Sequence, residues 1–336
     1  MSRLETRLNK EHSQNCSGIL LNEGTIPVLK ENHYYIENLS LDGDAPKQFI
    51  RAYFYEEGSR VRKNSLDSWI PFIAKTAEKW YPHESVIEYM INRIGLVLGL
   101  GMNEVRLVKA NGQIRFLSRY FLNKNERLVH GAEICGEHLN DTDFAKEIAE
   151  NKNTARELFT FEFIRNSIQS VYPNFCDIIV KDLVKMIGFD AIVGNNDRHF
   201  YNWGVVDNLR KTQKKPKFAP IFDSARGLLW NTSDENVIKH YQNLNIGGKK
   251  VVNYVEKAYP RVSIEQNKEA NHFELIHFIK QDKIGYKHAI DQLASIENEI
   301  RVLKMLQKEF YPFFIRERSE LITLILKMRF KKVREV

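Results

Sequence analysis

Residues 194–204 read GNNDRHFYNWG, and this short polar stretch, set between apolar segments, decides how the chain is understood. Asp197 and Asn202 stand five apart. A loop of that length lets a carboxylate face outward to take a proton while an amide oxygen turns back toward a hard cation. Alone the pair is weak, because Asp followed five residues later by Asn arises often by chance. Gly194, Asn195 and Asn196 would equally support a plain polar turn. A further carboxylate raises the odds. Asp223 closes the apolar run FAPIF (218–222), twenty-one residues after Asn202. At a strand end beside a polar loop it suits a metal ion, its plain alternative being an Asx turn.

These groups match the needs of one reaction class. Phosphoryl transfer requires an acceptor for the attacking hydroxyl's proton, oxygen ligands for Mg²⁺, and cations on the phosphates. His199, two residues past Asp197, has two readings: contact with a phosphate, or bracing of the loop by hydrogen bonds. No particular role is assigned to Arg198.

Working outward, residues 17–80 hold short β-like runs at Ile26–Lys30, Tyr34–Leu41, Phe49–Tyr55 and Trp69–Lys75, separated by turn signals at Asp42-Gly43-Asp44 and Glu57-Gly58-Ser59. From His83 to about Gly95, Val86, Ile87, Met90, Ile91 and Ile94 recur at helical spacing. Glu104–Ala110 and Gln113–Phe121 predict a hairpin turned by Asn111-Gly112. Beyond Asp143 the pattern is mostly helical, with amphipathic helices over Phe144–Val171 and Phe175–Val193. A strand-like pair, Trp203–Val206 and Lys217–Phe222, interrupts it. Near the C terminus, Ile290, Leu293, Ile296, Ile300, Leu303 and Leu306 form one core-facing stripe. The layout is a β-rich lobe with one helix, residues 1–121, then a larger helical lobe, residues 122–336.

Bulk composition narrows the classes. Apolar residues are 43% and charged residues 28%, as in ordinary globular chains. No apolar run approaches the roughly 20 residues that a membrane helix requires, and the first residues lack a secretory signal's apolar stretch. Cys16, Cys135 and Cys176 are too far apart for a CxxC pair and read as free thiols in a reducing compartment, with the cytoplasm as default. The net charge of +7 invites nucleic acid as a partner. Part of the surplus lies in Lys327 to Arg334, where a solvated helix end accounts for it, so direct nucleic-acid binding is not expected.

GNNDRHFYNWG followed by FAPIFD resembles the HipA family of Ser/Thr kinases, toxins of toxin–antitoxin pairs, and their short relatives. A D-R-H-x-x-N loop precedes a P-x-x-D element in the family's order. The resemblance covers roughly residues 35–230 and implies an α+β, bilobal protein-kinase-like fold. It implies ATP and Mg²⁺ as cofactors, Asp197 as general base, Asn202 and Asp223 as magnesium ligands, and His199 lining the nucleotide site. Lys75, ending WIPFIAK, resembles the phosphate-contacting lysine, whose plain alternative is an exposed strand end. Glu88 resembles the helix glutamate that pairs with it, with Glu84 a rival one turn away. Ser118-Arg119-Tyr120 occupies the place of the adenine-binding hinge. Gly43-Asp44-Ala45-Pro46-Lys47 resembles a phosphate-covering G-x-Q-x-K turn, so Gly43 and Lys47 join the expected ATP contacts. Ala45 stands where Gln is usual, and Asp42 and Asp44 would repel polyphosphate unless turned away or metal-bound. Ser40 takes the place of the family's autophosphorylated serine, where a phosphate would displace the loop by charge.

The family also implies partners. These are a protein substrate, a helix-turn-helix antitoxin, and a separate small protein supplying the N-terminal subdomain of full-length members, for which this chain has too few residues. Secretion as an effector is the other expectation for such short forms. Two other classes stay open from the residues alone: a small-molecule or lipid kinase, and a nucleotide-binding pseudokinase acting as a regulatory partner.

Overall fold

The computed structural model describes residues 7–37, 47–55, 57–58, 60–209 and 215–336. Ser40, the Gly43 turn with Asp42 and Asp44, and Ser59 lie outside the described residues. The chain opens with β1 (Asn15–Cys16), β2 (Tyr34–Glu37), β3 (Lys47–Ala52), β4 (Ile70–Lys75) and β5 (Trp80–Tyr81), followed by α1 (His83–Val97), β6 (Val105–Ala110) and β7 (Gln113–Arg119). Five strands form an antiparallel sheet in the order β2-β3-β4-β7-β6. Alternation buries Phe72 and Ala74 of β4 on one face. Asn111 at φ 47° and Gly112 at φ 73° make the left-handed pair that a two-residue hairpin turn demands. The strand expected at Ile26–Lys30 is reduced to one bridge, Val28 to Lys109.

α1 lays Val86, Ile87, Met90, Ile91 and Ile94, all fully buried, along one side. A helix late in the chain grips its other side. Arg93 donates two 3.1 Å hydrogen bonds to Glu309, and Tyr89 packs 5.7 Å from Phe310.

The second half contains β8 (Glu126–His130), α2 (Gly131–Leu139), α3 (Thr142–Glu150), α4 (Lys152–Leu158), α5 (Phe161–Val171), α6 (Cys176–Val193), β9 (Gly204–Asn208) and β10 (Lys217–Phe218). It ends with α7 (Asp234–Asn245), α8 (Lys250–Glu256), α9 (His272–Asp282), α10 (Ile284–Leu293), α11 (Ile296–Glu309) and α12 (Arg316–Glu335). The single helix expected over Phe144–Val171 is three. Asn151 accepts from the N–H groups of Asn153 and Thr154, and Thr160 from that of Phe163, so each side chain starts a new helix. The stripe from Ile290 to Leu306 is likewise broken. Ser295 caps α11 by accepting from Asn298, which resets the phase and leaves Ile296 and Ile300 64% and 48% exposed while Val302, Met305 and Leu306 turn inward. Strand β8, absent from the sequence reading, pairs with β9. Gly204 permits this pairing, because a Cβ there would meet the Val129 carbonyl at 2.3 Å.

Segments at the two ends of the chain meet. Ser17 accepts from the N–H of His83 at the start of α1, while its carbonyl accepts from the N–H of Asp234 at the start of α7. Fully buried Arg318 of α12 donates to Asp234 at 2.9 Å and to the Thr232 carbonyl. Burial and the nearby Arg318 lower the His83 pKa to about 3, so its imidazole is neutral in this brace. No described helix is long and apolar enough to cross a membrane.

Candidate active site

The apolar helix α6 ends at Gly194, whose φ of 71° closes the last turn. One turn earlier the helix buries a carboxylate, Asp190. Such a charge demands a partner, and Arg198 supplies it with two bonds, Nε to Oδ2 at 2.8 Å and Nη2 to Oδ1 at 2.7 Å. Arg198 also donates to the carbonyls of Phe222 (2.7 Å) and Asn202 (3.3 Å) and to the Ser224 hydroxyl (2.8 Å). One planar cation therefore ties α6, the loop and both neighbours of Asp223 together. Sequence reasoning left Arg198 without a role. The legible signal was Asp190 within the apolar run GFDAIV.

Asp197 lies on the outer side of this hub, a third exposed. Its N–H donates to Asn195 Oδ1 at 3.2 Å, Arg261 Nε donates to its Oδ1 at 2.7 Å, and Arg226 Nε stands 3.7 Å from Oδ2. Neither arginine was singled out in the sequence, and no local pattern would have found Arg261. The His199 ring accepts from the Tyr201 N–H at 3.3 Å and stacks on the Tyr201 ring at 5.3 Å. Its carbonyl accepts from the Asn202 N–H. These are bracing contacts.

From the sheet, Lys75 at the end of β4 donates to Asp223 Oδ1 at 2.9 Å and Glu88 Oε1 at 3.4 Å. Glu84 turns elsewhere and accepts from the N–H groups of Lys79 and Trp80. Burial works against the Lys75 charge, but Asp223 and Glu88 outweigh it and raise its pKa. Burial raises that of Glu88 against the pull of Lys75. Burial opposes the Asp223 charge too, yet Lys75, Arg198 and Lys47 hold this carboxyl below its ordinary value. Lys47 faces Lys75 across the β3–β4 register. Asp223 adopts φ 52°, a left-handed conformation that non-glycine residues enter at a cost.

Glu88, Phe116, Ser118, Ile221, Phe222 and Asp223 line a narrow crevice. In the expected hinge, the N–H of Arg119 donates to the Glu104 carbonyl and that of Tyr120 to the Pro71 carbonyl. The Asn103 amide holds the Ser118 hydroxyl and the Arg119 carbonyl. Hinge backbone donors are thus engaged within the protein itself. The Asp223 carboxylate is a hard oxygen donor of the kind that magnesium takes. Its side chain is 39% exposed. Arg198 brings the Asn202 carbonyl and the carbonyl preceding Asp223 to one nitrogen. A site with one carboxylate and one amide, completed by water and phosphate oxygens, is a common form for Mg²⁺. Among the described residues no cluster of three His, Cys, Asp or Glu side chains offers a rival metal site.

The C-terminal helix props this loop from behind. Arg329 of α12, fully buried, donates to the Ala191 carbonyl at 2.7 Å and the Val255 carbonyl at 2.8 Å. Its cation thereby faces the last turn of α6, where carbonyls lack helical partners. Burial lowers its pKa to about 10. Arg329→Ala is expected to destabilise the fold by about 3 kcal/mol, read from the midpoint of urea unfolding.

A family model described as the HipA-like C-terminal domain matches residues 39–301, a span holding Lys75, Glu88, Asp197, Asn202 and Asp223. Among solved structures, the crystal structure of a Helicobacter pylori proinflammatory kinase, CtkA, shares 15% identity at a TM-score of 0.68, covering 92% of this chain and 98% of that one. That likeness shows a bilobal, protein-kinase-like α+β fold. The Shewanella oneidensis MR-1 toxin–antitoxin complex of HipA, HipB and operator DNA shares 14% identity at a TM-score of 0.47, over 89% of this chain and 67% of that one. No curated protein matches the sequence. The Ser17 segment and α12 lie outside the family match, so Ser17 and Arg318 of the brace at His83, and Arg329 of the prop, come from flanking sequence.

Proposed function

We propose, from the fact that this chain belongs to the HipA-like C-terminal domain family, that it is a kinase transferring the γ-phosphoryl group of ATP to a Ser or Thr hydroxyl of a protein. The observation that carries this reading is the contact of Lys75 with both Glu88 and Asp223, while Arg198 of the Asp197–Asn202 loop binds the residues on either side of Asp223. A strand lysine already paired with its helix glutamate is the arrangement phosphoryl transfer demands.

In this reading the lobes divide near Phe121, as 1–121 and 122–336. Lys75, held by Glu88, contacts the nucleotide phosphates, and Lys47 adds a cation at the same edge. Ser118, Arg119 and Tyr120 lie along the adenine side. Asn202 and Asp223 would hold Mg²⁺, which supplies charge neutralisation on the phosphate oxygens. The acceptor oxygen attacks the γ-phosphorus, its proton passes to Asp197, and the bond to the β-phosphate oxygen breaks to release ADP. His199 braces the loop beside the nucleotide. Gly43 and Ser40, outside the described residues, remain the proposed phosphate-loop and autophosphorylation positions.

Incubating the purified protein with labelled ATP and Mg²⁺ tests the proposal directly. Label should appear on protein, either itself or an added acceptor, and label confined to an added metabolite would refute it. Lys75→Ala is expected to lower kcat/KM for ATP by about 10²-fold through loss of a phosphate contact, in a chain that still folds. From family membership we also propose a toxin role, with a helix-turn-helix antitoxin and a small subdomain protein as partners and the cytoplasm, its own or a host's, as location. Expression should arrest growth, and a wild-type chain without effect would count against that role.

A further inference from the structure

A second group of cations gathers about Asp197. Arg226 follows Asp223 by three residues, Arg261 comes from the connection between α8 and α9, and Lys152 opens α4. Their positions are built, not incidental. Arg156 of α4 binds the carbonyls of Pro260, Lys268 and Ala270, and the Ser263 carbonyl accepts from the N–H of Phe161. The segment carrying Arg261 is thereby pinned. The Arg226 guanidinium lies on the Trp230 ring at 4.0 Å. Lys152 donates to the carbonyls of Asn196 and Tyr259.

Charge here is out of balance. Among the described residues, Arg226 and Arg261 pair with Asp197, Lys152 feels its charge, and Arg261 Nη1 is buried with no hydrogen-bond partner. A buried guanidinium nitrogen without an acceptor is costly, and planar forked donors suit carboxylate or phosphate oxygens. The two arginines also occupy the oxygens of Asp197 that an acceptor hydroxyl would approach. An anion arriving beside the hydroxyl would draw the guanidiniums onto itself and open Asp197 to the proton.

We propose that Arg226, Arg261 and Lys152 form an acceptor-side anion subsite, so that the preferred substrate is a Ser or Thr in a peptide segment carrying a carboxylate or phosphate close to it. This inference rests on the kinase reading with Asp197 as base. Within that reading the arginines are positioning and specificity residues, and the anion that binds them both docks the substrate and releases the base.

The test is a peptide array with one Ser and a single flanking position scanned as Asp, phosphoserine, Asn or Lys, assayed with labelled ATP and Mg²⁺. At one or more positions Asp or phosphoserine should raise kcat/KM by about tenfold over Asn, and Lys should lower it. In Arg261→Gln and Arg226→Gln that ratio should fall toward one, through KM for the peptide and not KM for ATP. Lys152→Gln, which does not touch Asp197, should reduce the ratio even if the arginine variants fail to fold, as monitored by thermal melts. Equal use of all peptides, a ratio that survives the substitutions, or a shift in KM for ATP instead would overturn the subsite while leaving the kinase reading intact. Transfer only to an inositol phosphate added in parallel, or to no acceptor although ATP binds, would overturn both.

Discussion

Asp197→Asn is expected to lower kcat for phosphoryl transfer by about 10²–10⁴-fold, the usual contribution of a positioned general base. The substitution keeps a carbonyl oxygen where Arg261 donates and removes the group that takes the proton. Folding should therefore survive: the altered contacts involve a side chain one-third exposed, where such pairs contribute little to stability. The decisive combination is a melting temperature near that of the parent together with collapse of kcat in a labelled-phosphate assay. A variant retaining more than a tenth of the parental kcat would place the base elsewhere.

Arg198→Met should damage stability as well as transfer. The pair it forms with Asp190 is about 4% exposed on both sides. Breaking one partner of such a pair strands a buried charge, at about 3–5 kcal/mol. Arg198→Lys should recover only part of this, because an ammonium cannot present the planar fork that spans both oxygens of Asp190. Asp190→Leu combined with Arg198→Met is expected to be less destabilised than either change alone would add up to, since no unpaired ion remains. Denaturant midpoints for the parent, Arg198→Met, Asp190→Leu and the double variant check this. Transfer should fail in both proteins that carry Arg198→Met, because Arg198 also holds the Asn202 carbonyl and the residues on both sides of Asp223. Normal kcat in the double variant would refute that positioning role.

The elements easiest to read from sequence were those whose pattern is local. The α1 helix follows from five apolar residues at helical spacing, and the hairpin from Asn111-Gly112 between two alternating runs. Where local rules compete, the reading failed. Ser295 and Asn151 look like ordinary polar residues within helical stretches, yet their side chains satisfy orphan N–H groups and divide one periodic pattern into several helices. Strand β8 escaped notice because it is short and its stability comes from pairing with β9, about eighty residues on, where only Gly204 allows so close an approach.

For the candidate site the division is similar. GNNDRHFYNWG and the P-x-x-D element were sufficient to identify the family and to nominate Asp197, Asn202 and Asp223, because phosphoryl transfer imposes residue types at set spacings within a segment, while Lys75 and Glu88 were nominated through the family resemblance. Partner choice among the cations could not be read this way. Arg198 is bound to a residue eight positions earlier, but Arg261 reaches Asp197 across 64 residues and Arg329 reaches Ala191 across 138. A guanidinium is a strong donor wherever it stands, so its sequence neighbours say nothing about which oxygen it meets. That is set by the packing of α4, α8 and α12 around the loop, and it was the tertiary structure alone that put two arginines on Asp197 and a third beneath Gly194.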